Sequence, residues 1–316
     1  MAEGDAATER DDTADDSDVC VLVPTLDEAE TIGDVIDGMC EHGYENVLVI
    51  DGGSTDGTAE IAREHGARVE RQSGQGKGRA IREALGMIDA EFVLMLDGDG
   101  TYRAADADAM LEPLRAGRAE HVIGNRFADM EPDAMPRLNQ IGNRLINRAF
   151  AFVHGRDLVD ITSGYRAFTR ETIERFHLTA TGFGIETELA VECIKHDVDT
   201  AIVPITYCAR PRGSDTNLRP VRDGAVILVT LYRLAKTNNP LFYFGSIGVL
   251  SLLIGTGTGT YVGVEWFTRS VSHEVLAVVA GVALLFGVQL LMFGVLSDML
   301  LSLHRVQLRR IERSER

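Results

Sequence analysis

Apolar and polar positions divide the chain into two regimes. In the first, short apolar runs alternate with stretches of helical spacing. Residues 19–24 (VCVLVP), 47–51 (VLVID), 92–97 (FVLMLD) and 121–124 (HVIG) are continuous apolar runs, the pattern of strands buried on both faces. Between the first two, Ile32, Val35, Ile36, Met39 and Cys40 recur at helical spacing, and Asp27 and Glu30 ahead of them predict a capping-box-like start. The alternation predicts an α/β fold around a mainly parallel sheet. In the second regime, residues 241–264 are 24 positions without a charge and residues 275–297 are another 23. A bilayer core takes about 20 such residues, so the pair predicts a transmembrane hairpin, with a buried pair of core helices as the alternative.

The flanks orient that hairpin. Arg210, Arg212, Arg219, Arg222, Arg233 and Lys236 precede it, and Arg305, Arg309, Arg310, Arg313 and Arg316 follow it. The link between the runs, with Trp266, Glu265 and Glu274, has Arg269 as its one arginine. The positive-inside rule then predicts a multi-pass protein of the cell membrane with the large domain and both termini in the cytoplasm. Residues 1–18 carry eight acids against Arg10 and predict a disordered, solvating tail. No apolar run follows a basic start, so no signal peptide is expected. From Pro136 to Gly155 there is no acid. There Arg137, Arg144 and Arg148 stand with Asn143 and Asn147, opposite Ile141, Leu145, Ala149, Phe150 and Val153. This predicts a basic amphipathic helix at a lipid interface, or else an ordinary surface helix packed on the sheet. The expected organisation is a tail (1–18), an α/β domain (19–210), a basic interface helix (211–240), the hairpin (241–303) and a basic cytoplasmic tail (304–316).

Charge narrows the partners. Acids outnumber Lys+Arg by 48 to 31, for a net charge of −17, and the lysines are only Lys77, Lys195 and Lys236. Nucleic acid is excluded as a main partner, because binding phosphate backbones needs a basic face. The same surface suits high salt, where self-repulsion is screened, as in a halophile. Cys20, Cys40, Cys193 and Cys208 are scattered without a CxxC pair, which excludes a disulfide framework or a cysteine zinc site.

Parallel sheets bind ligands past the carboxyl ends of their strands, and two of the apolar runs end in aspartate, Asp51 and Asp97. In Asp97-Gly98-Asp99, two carboxylates at a strand end can share one divalent cation, Mg²⁺ or Mn²⁺, whose other ligands are phosphates and water. A tight Asp-Gly turn is the structural alternative. In Asp51-Gly-Gly-Ser-Thr-Asp56-Gly-Thr58, Asp56 or Ser54 is placed to cap the next helix, and Asp51 to accept hydrogen bonds from a base or ribose. Gly74-Gln-Gly-Lys77-Gly lacks the Ser or Thr of a Walker loop. It can still receive an anion at a helix start, or leave Lys77 solvated.

In order along the chain stand Pro24-Thr-Leu26-Asp-Glu28, DGGSTDGT, GQGKGRA, Asp97-Gly-Asp99, Gly124-Asn-Arg126 and Ser163-Gly-Tyr-Arg166. This set resembles the family 2 glycosyltransferases, and within them the dolichyl- or polyprenyl-phosphate hexose synthases, over residues 19–240. The resemblance implies a GT-A fold that binds a nucleotide sugar and depends on Mg²⁺ or Mn²⁺. It implies that Pro24, Leu26, Glu28 and Asp51 line the nucleotide pocket and that Asp97 and Asp99 hold the metal and the donor diphosphate. Arg210 would clamp that diphosphate with Lys77 nearby, and Arg126, with Arg137, would reach the acceptor phosphate.

Three departures stand out. Asp51-Gly52 replaces a frequent Asp-Asp; Thr101 replaces a Gln, so that metal coordination would lean more on water; and Gly213-Ser-Asp-Thr216 lacks a lysine. The processive synthases' Gln-x-x-Arg-Trp is absent, the one tryptophan being Trp266. Glu188, in Gly182-Phe-Gly-Ile-Glu186-Thr-Glu188, matches a segment where relatives keep a catalytic base. A phosphate-monoester acceptor is already an anion, however, so its attack needs positioning and charge neutralisation rather than a base.

The implied function is inverting transfer of a hexose to dolichyl phosphate on the cytoplasmic face. The resemblance to archaeal dolichyl-phosphate glucosyltransferases of surface-layer protein N-glycosylation points to UDP-glucose first and GDP-mannose second. Alternatives are a non-catalytic membrane scaffold and a transferase with a hydroxyl acceptor served by Glu188.

Overall fold

A computed structural model describes residues 18–182, 184–211, 224–225, 229, 232, 235–236 and 239–315, with side chains to residue 303. The acidic tail, the lysine-less Gly213–Thr216 segment, Arg212, Arg219, Arg222 and Arg233 lie outside the described residues, as do the side chains of the terminal arginines. The chain divides into two compact units, residues 1–135, 163–176 and 199–216, and residues 136–162, 177–198 and 217–316.

The first unit is built on seven strands: β1 (Val19–Thr25), β2 (Val47–Asp51), β3 (Arg68–Arg71), β4 (Phe92–Met95), β5 (His121–Met130), β6 (Arg166–Thr169) and β7 (Thr200–Tyr207). Their order is β3-β2-β1-β4-β6-β5-β7. β3, β2, β1 and β4 pair in parallel, β6 runs antiparallel between β4 and β5, and β5 pairs in parallel with β7. Every residue of β1, β2 and β4 is buried, as their unbroken apolar runs require. Helices α1 (Ile32–Glu41), α2 (Thr58–Glu64), α3 (Lys77–Leu85), α4 (Ala107–Arg115) and α6 (Arg170–Glu174) belong to the same unit. Val21, Val23, Ile32, Ile36, Val49 and Leu94, all fully buried, form its apolar centre. Each contributes roughly 1.5–3 kcal/mol by leaving water.

The expected capping box is not formed. α1 begins at Thr31 without a side-chain cap, because Asp27 is spent elsewhere: its carboxylate accepts from Thr55 N at 2.8 Å. The N-cap of α2 is Gly57 rather than Ser54 or Asp56. Asp56 nevertheless accepts from Thr58 N, the first helical amide, at 3.0 Å.

The second unit holds α5 (Arg137–His154), α7 (Ile185–Lys195), α8 (Pro240–Arg269) and α9 (Glu274–Glu315). Pro240–Arg269 and Glu274–Leu303 are each long and apolar enough to cross a membrane. They pack antiparallel through glycine: a Cβ on Gly248 would lie 2.9 Å from Gly287 O, and one on Gly255 2.9 Å from Leu284 N. Ser251 Oγ donates to Ala283 O across the same seam.

α5 departs from the expected amphipathic division. Its buried stripe is Ile146, Asn147, Phe150 and Val153, whereas Ile141 and Leu145 are exposed together with Leu138 and Phe152. Asn147 is inside because its Oδ1 accepts from the buried Ile161 N at 3.0 Å. Arg137, Arg144 and Arg148 are exposed with the outward apolar residues.

Candidate active site

The pairing pattern brings the carboxyl ends of β1, β2, β4, β5 and β7 to one rim. Antiparallel β6 starts there too, with Arg166 opposite both Met95 and Ile123. Strand order diverges between β1 and β4, the switch point beyond whose carboxyl ends, here Thr25 and Asp97, open α/β sheets bind ligands in a crevice.

The loops after β1 and β2 are stitched together. Asp27 N donates to Ser54 Oγ, Glu28 N to Thr58 Oγ1 and Ala29 N to Asp56 Oδ2, at 2.8–3.0 Å. This fixes Glu28 over the crevice. Asp51, only 5 % exposed, accepts from the amides of Gly53 and Ser54 in its own turn. Its carboxylate has these two amide donors and keeps accepting capacity for the base or ribose it is expected to read. Pro24 is buried within β1, and Leu26 is exposed just beyond it.

After β4 the chain turns through Asp97-Gly98-Asp99. A Cβ on Gly98 would lie 2.7 Å from Thr25 Cγ2, so only glycine fits between the two aspartates. Gly98 O accepts from Thr31 Oγ1 at 2.7 Å. Asp97 Oδ1 accepts from Lys77 Nζ at 2.6 Å, and Lys77 is the first residue of α3. Asp99 Oδ2 pairs with Arg210, and its Oδ1 accepts from the amide and hydroxyl of Thr101. Thr101, read from the sequence as the loss of a metal-side Gln, thus orients the second aspartate. Arg210 also stands 3.8 Å from Glu28 Oε1.

Glu28, Asp97 and Asp99 here lie close to the cations Lys77 and Arg210. Burial first and the neighbouring Asp99 second push the Glu28 carboxyl up to about 7. Burial and then Asp97 raise Asp99, against the pull of Arg210. Glu28 Oε2 is buried with no hydrogen-bond partner among the described residues. Arg126, on β5, lies 5.4 Å from the centre of the Tyr207 ring, which packs at 5.6 Å against Tyr102. Burial chiefly raises both phenols, Arg126 opposes that, and Asp97 and Asp99 add to it. Arg126 and the two aspartates therefore act on the same pair of phenols.

The structure thus brings Glu28, Lys77, Asp97, Asp99, Arg126 and Arg210 to one rim. Arg137 opens α5 in the other unit. Glu188 is committed: it accepts from Thr179 N, Thr179 Oγ1 and Ala180 N at 2.6–3.0 Å. Tyr102 and Tyr207 were not singled out from the sequence. The one available signal was that Tyr102 follows the aspartate pair by three residues.

The donor set fits a hard divalent cation, being oxygen-only with an orphaned carboxylate oxygen beside the pair. Among the described residues no group of three or more His, Cys, Asp or Glu could hold a metal alone. A cation here would complete its shell with ligand phosphates and water.

Acidic residues set against Lys77 and Arg210 on the carboxyl rim of such a sheet are a donor set suited to an anionic ligand bound together with a divalent cation. Residues 20–176 match glycosyl transferase family 2. The chain is 63% identical over 298 residues to the glycosyltransferase AglJ of Haloferax volcanii, covering 94% of this chain and 98% of that protein. It is 35% identical over 213 residues to a dolichyl-phosphate hexose transferase of the same organism, covering 66% of this chain and 90% of that protein. Among solved structures, glucosyl-3-phosphoglycerate synthase of Mycobacterium tuberculosis in complex with Mn²⁺ and UDP-glucose matches with a TM-score of 0.58. Identity is 21%, and the match covers 69% of this chain and 79% of that one. This likeness speaks to the fold, which is GT-A.

The chain belongs to glycosyl transferase family 2 and is a glycosyltransferase.

Proposed function

We propose that the protein transfers a hexose from a nucleotide sugar to dolichyl phosphate, or a related polyprenyl phosphate, at the cytoplasmic face of the cell membrane. The product would serve protein N-glycosylation, including that of surface-layer proteins. UDP-glucose is the first donor and GDP-mannose the second. The carrying observation is the rim itself, where Asp97 and Asp99 face Lys77 and Arg210. Mg²⁺ or Mn²⁺ held by Asp97 and Asp99 would neutralise charge on the departing nucleoside diphosphate. Lys77 and Arg210 bind that diphosphate, and Arg126 holds the acceptor phosphate, with Arg137 at the lipid side. An acceptor phosphate oxygen attacks the anomeric carbon as the bond from that carbon to the diphosphate oxygen breaks, inverting the centre. No proton has to be removed, in keeping with a Glu188 already committed to its own loop.

Two features support a lipid acceptor. The helices α8 and α9 are read as a membrane hairpin, their outward side chains being apolar (Phe267, Leu285 and Met292 among them). Phe152, at the exposed edge of α5, meets Phe242 at the start of α8, edge-on at 5.8 Å. The row Leu138, Ile141, Leu145 and Phe152 therefore runs on from the hairpin, interleaved with Arg137, Arg144 and Arg148, as a helix lying in a headgroup layer requires. The names of the relatives, a dolichyl-phosphate hexose transferase and a polyprenol monophosphomannose synthase, agree with this acceptor class.

The test uses the full chain in high-salt detergent with Mg²⁺, dolichyl phosphate and radiolabelled nucleotide sugars. Label should enter an organic-extractable, acid-labile lipid from one donor and be lost in Asp99→Ala. Transfer from no donor, despite metal-dependent nucleotide binding, would remove the lipid phosphate as acceptor. Absence of nucleotide binding as well would leave a scaffold.

A further inference from the structure

The turn Ser163-Gly164-Tyr165-Arg166 is buried throughout and has no part in the chemistry above. Gly164 nonetheless lies directly against a metal aspartate. A Cβ built on it would stand 2.5 Å from Asp97 Oδ2 and 2.9 Å from Asp97 Cγ. Its backbone is not left-handed, so glycine is needed here for space rather than for conformation.

The turn has no freedom to retreat. Tyr165 O accepts from Gly124 N at 2.9 Å, which ties it to β5. Gly164 N donates to the Tyr102 hydroxyl at 3.0 Å. From behind, the fully buried Arg166 donates through Nε to Ser163 O at 3.0 Å and through Nη1 to His121 Nε2 at 3.3 Å. An accepting Nε2 requires a neutral ring, whose Nδ1–H then donates to Thr200 Oγ1 at 3.2 Å. Burial, and after it the Arg166 guanidinium, hold His121 well below its ordinary range, so the ring stays in that state. Stacking on Phe168 at 4.5 Å fixes its plane. A buried arginine that grips a carbonyl and an imidazole makes a rigid brace, because a donor left without its partner in a dry interior is strongly disfavoured.

We propose that Gly164 is a positioning residue for Asp97: the Arg166–His121 brace clamps the turn so that its bare Cα seats the Asp97 carboxylate in the orientation a divalent cation needs. Any side chain at residue 164 pushes that carboxylate off its seat. The inference rests on Asp97 as a metal ligand, and its test separates the two claims.

Mn²⁺ is titrated into the full-length protein in high-salt detergent, with UDP and separately with GDP, and free Mn²⁺ is followed by electron paramagnetic resonance. Thermal unfolding is recorded for each variant. Asp97→Ala sets the reference: if it binds Mn²⁺ as the parent does, the metal-site reading falls, and this proposal with it. Given a loss there, Gly164→Ala should weaken Mn²⁺ at least about tenfold with its unfolding temperature little changed. A residue that only supports the fold would move the unfolding temperature and leave the Mn²⁺ midpoint alone, so an unchanged midpoint overturns the proposal. Should Gly164→Ala not fold, Tyr102→Phe decides, since it removes the acceptor of the Gly164 amide and keeps the ring. Mn²⁺ weakened about two- to threefold supports the seat, and an unchanged midpoint overturns it.

Discussion

Two groups of acids, the first buried or half-buried and the second buried, differ in what their oxygens do. On the sheet rim, Asp97 and Asp99 are matched by the tips of Lys77 and Arg210, and Glu28 keeps one oxygen without a partner among the described residues. On α7, Glu188 is filled by two amides and a hydroxyl of residues 179–180, and Glu192 accepts from His177 N and from Lys195. Backbone amides cannot leave without unfolding a loop, whereas a lysine on four methylenes can change partner. The α7 acids are struts, and the rim acids are ligands in waiting. What tells the two apart is that each rim acid keeps an oxygen held by a side-chain tip or by no described donor, although Asp99 Oδ1 also accepts from the Thr101 amide.

The comparison breaks if the two groups respond alike to removal. The largest effect belongs to the rim: Asp99→Asn should lower transfer by about 10²–10³-fold, measured as lipid-linked label, and leave thermal unfolding almost unmoved. A large drop in unfolding temperature would class Asp99 with the struts. Glu188→Ala should do the reverse. Three donors lose a charged acceptor, costing about 3 kcal/mol in denaturant unfolding, while the folded fraction keeps its turnover within about threefold. Abolished turnover in folded protein would make Glu188 a base after all.

The smallest effect sharpens the contrast from the cationic side. His154, on α5, is held down to about 4 by burial, with neither ring nitrogen hydrogen-bonded to a described residue. Its folded value lies below the unfolded one, so its share of stability is complete above about pH 6.5. That share is lost as pH falls toward about 4, because the unfolded chain takes the proton first. The slope of stability between those values should flatten in His154→Phe, followed by unfolding at stepped pH.

The sequence made the inner strands legible because strands buried on both faces leave continuous apolar runs, and the run at 47–51 coincides with β2. The outer strands were not. β3 reads RVER, with charged residues at both ends, and β7 carries Pro204 among alternating exposures; neither leaves a run. β6 is four residues long, and its antiparallel course is set by pairing on both sides. At the site, the aspartate pair and both of its cations could be named from their motifs. That Lys77 rests on Asp97 could not, since it depends on where α3 starts relative to β4, which lies three places from β3 in the sheet. The face of α5 was misread because Asn147 was counted as outward on polarity, when it accepts from the buried backbone amide of Ile161.

The seating of Lys77 on Asp97 bears on how ligand binding responds to ionic strength. A donor diphosphate that takes Lys77, while a cation takes the vacated carboxylate, exchanges one ion pair for another. Few bound salt ions are released by such an exchange, so affinity falls only gently with added salt; binding that creates each ion pair anew loses affinity steeply. For a chain of net charge −17, an internal lysine that hands its ion pair to a bound diphosphate would make that recognition depend little on the salt around it.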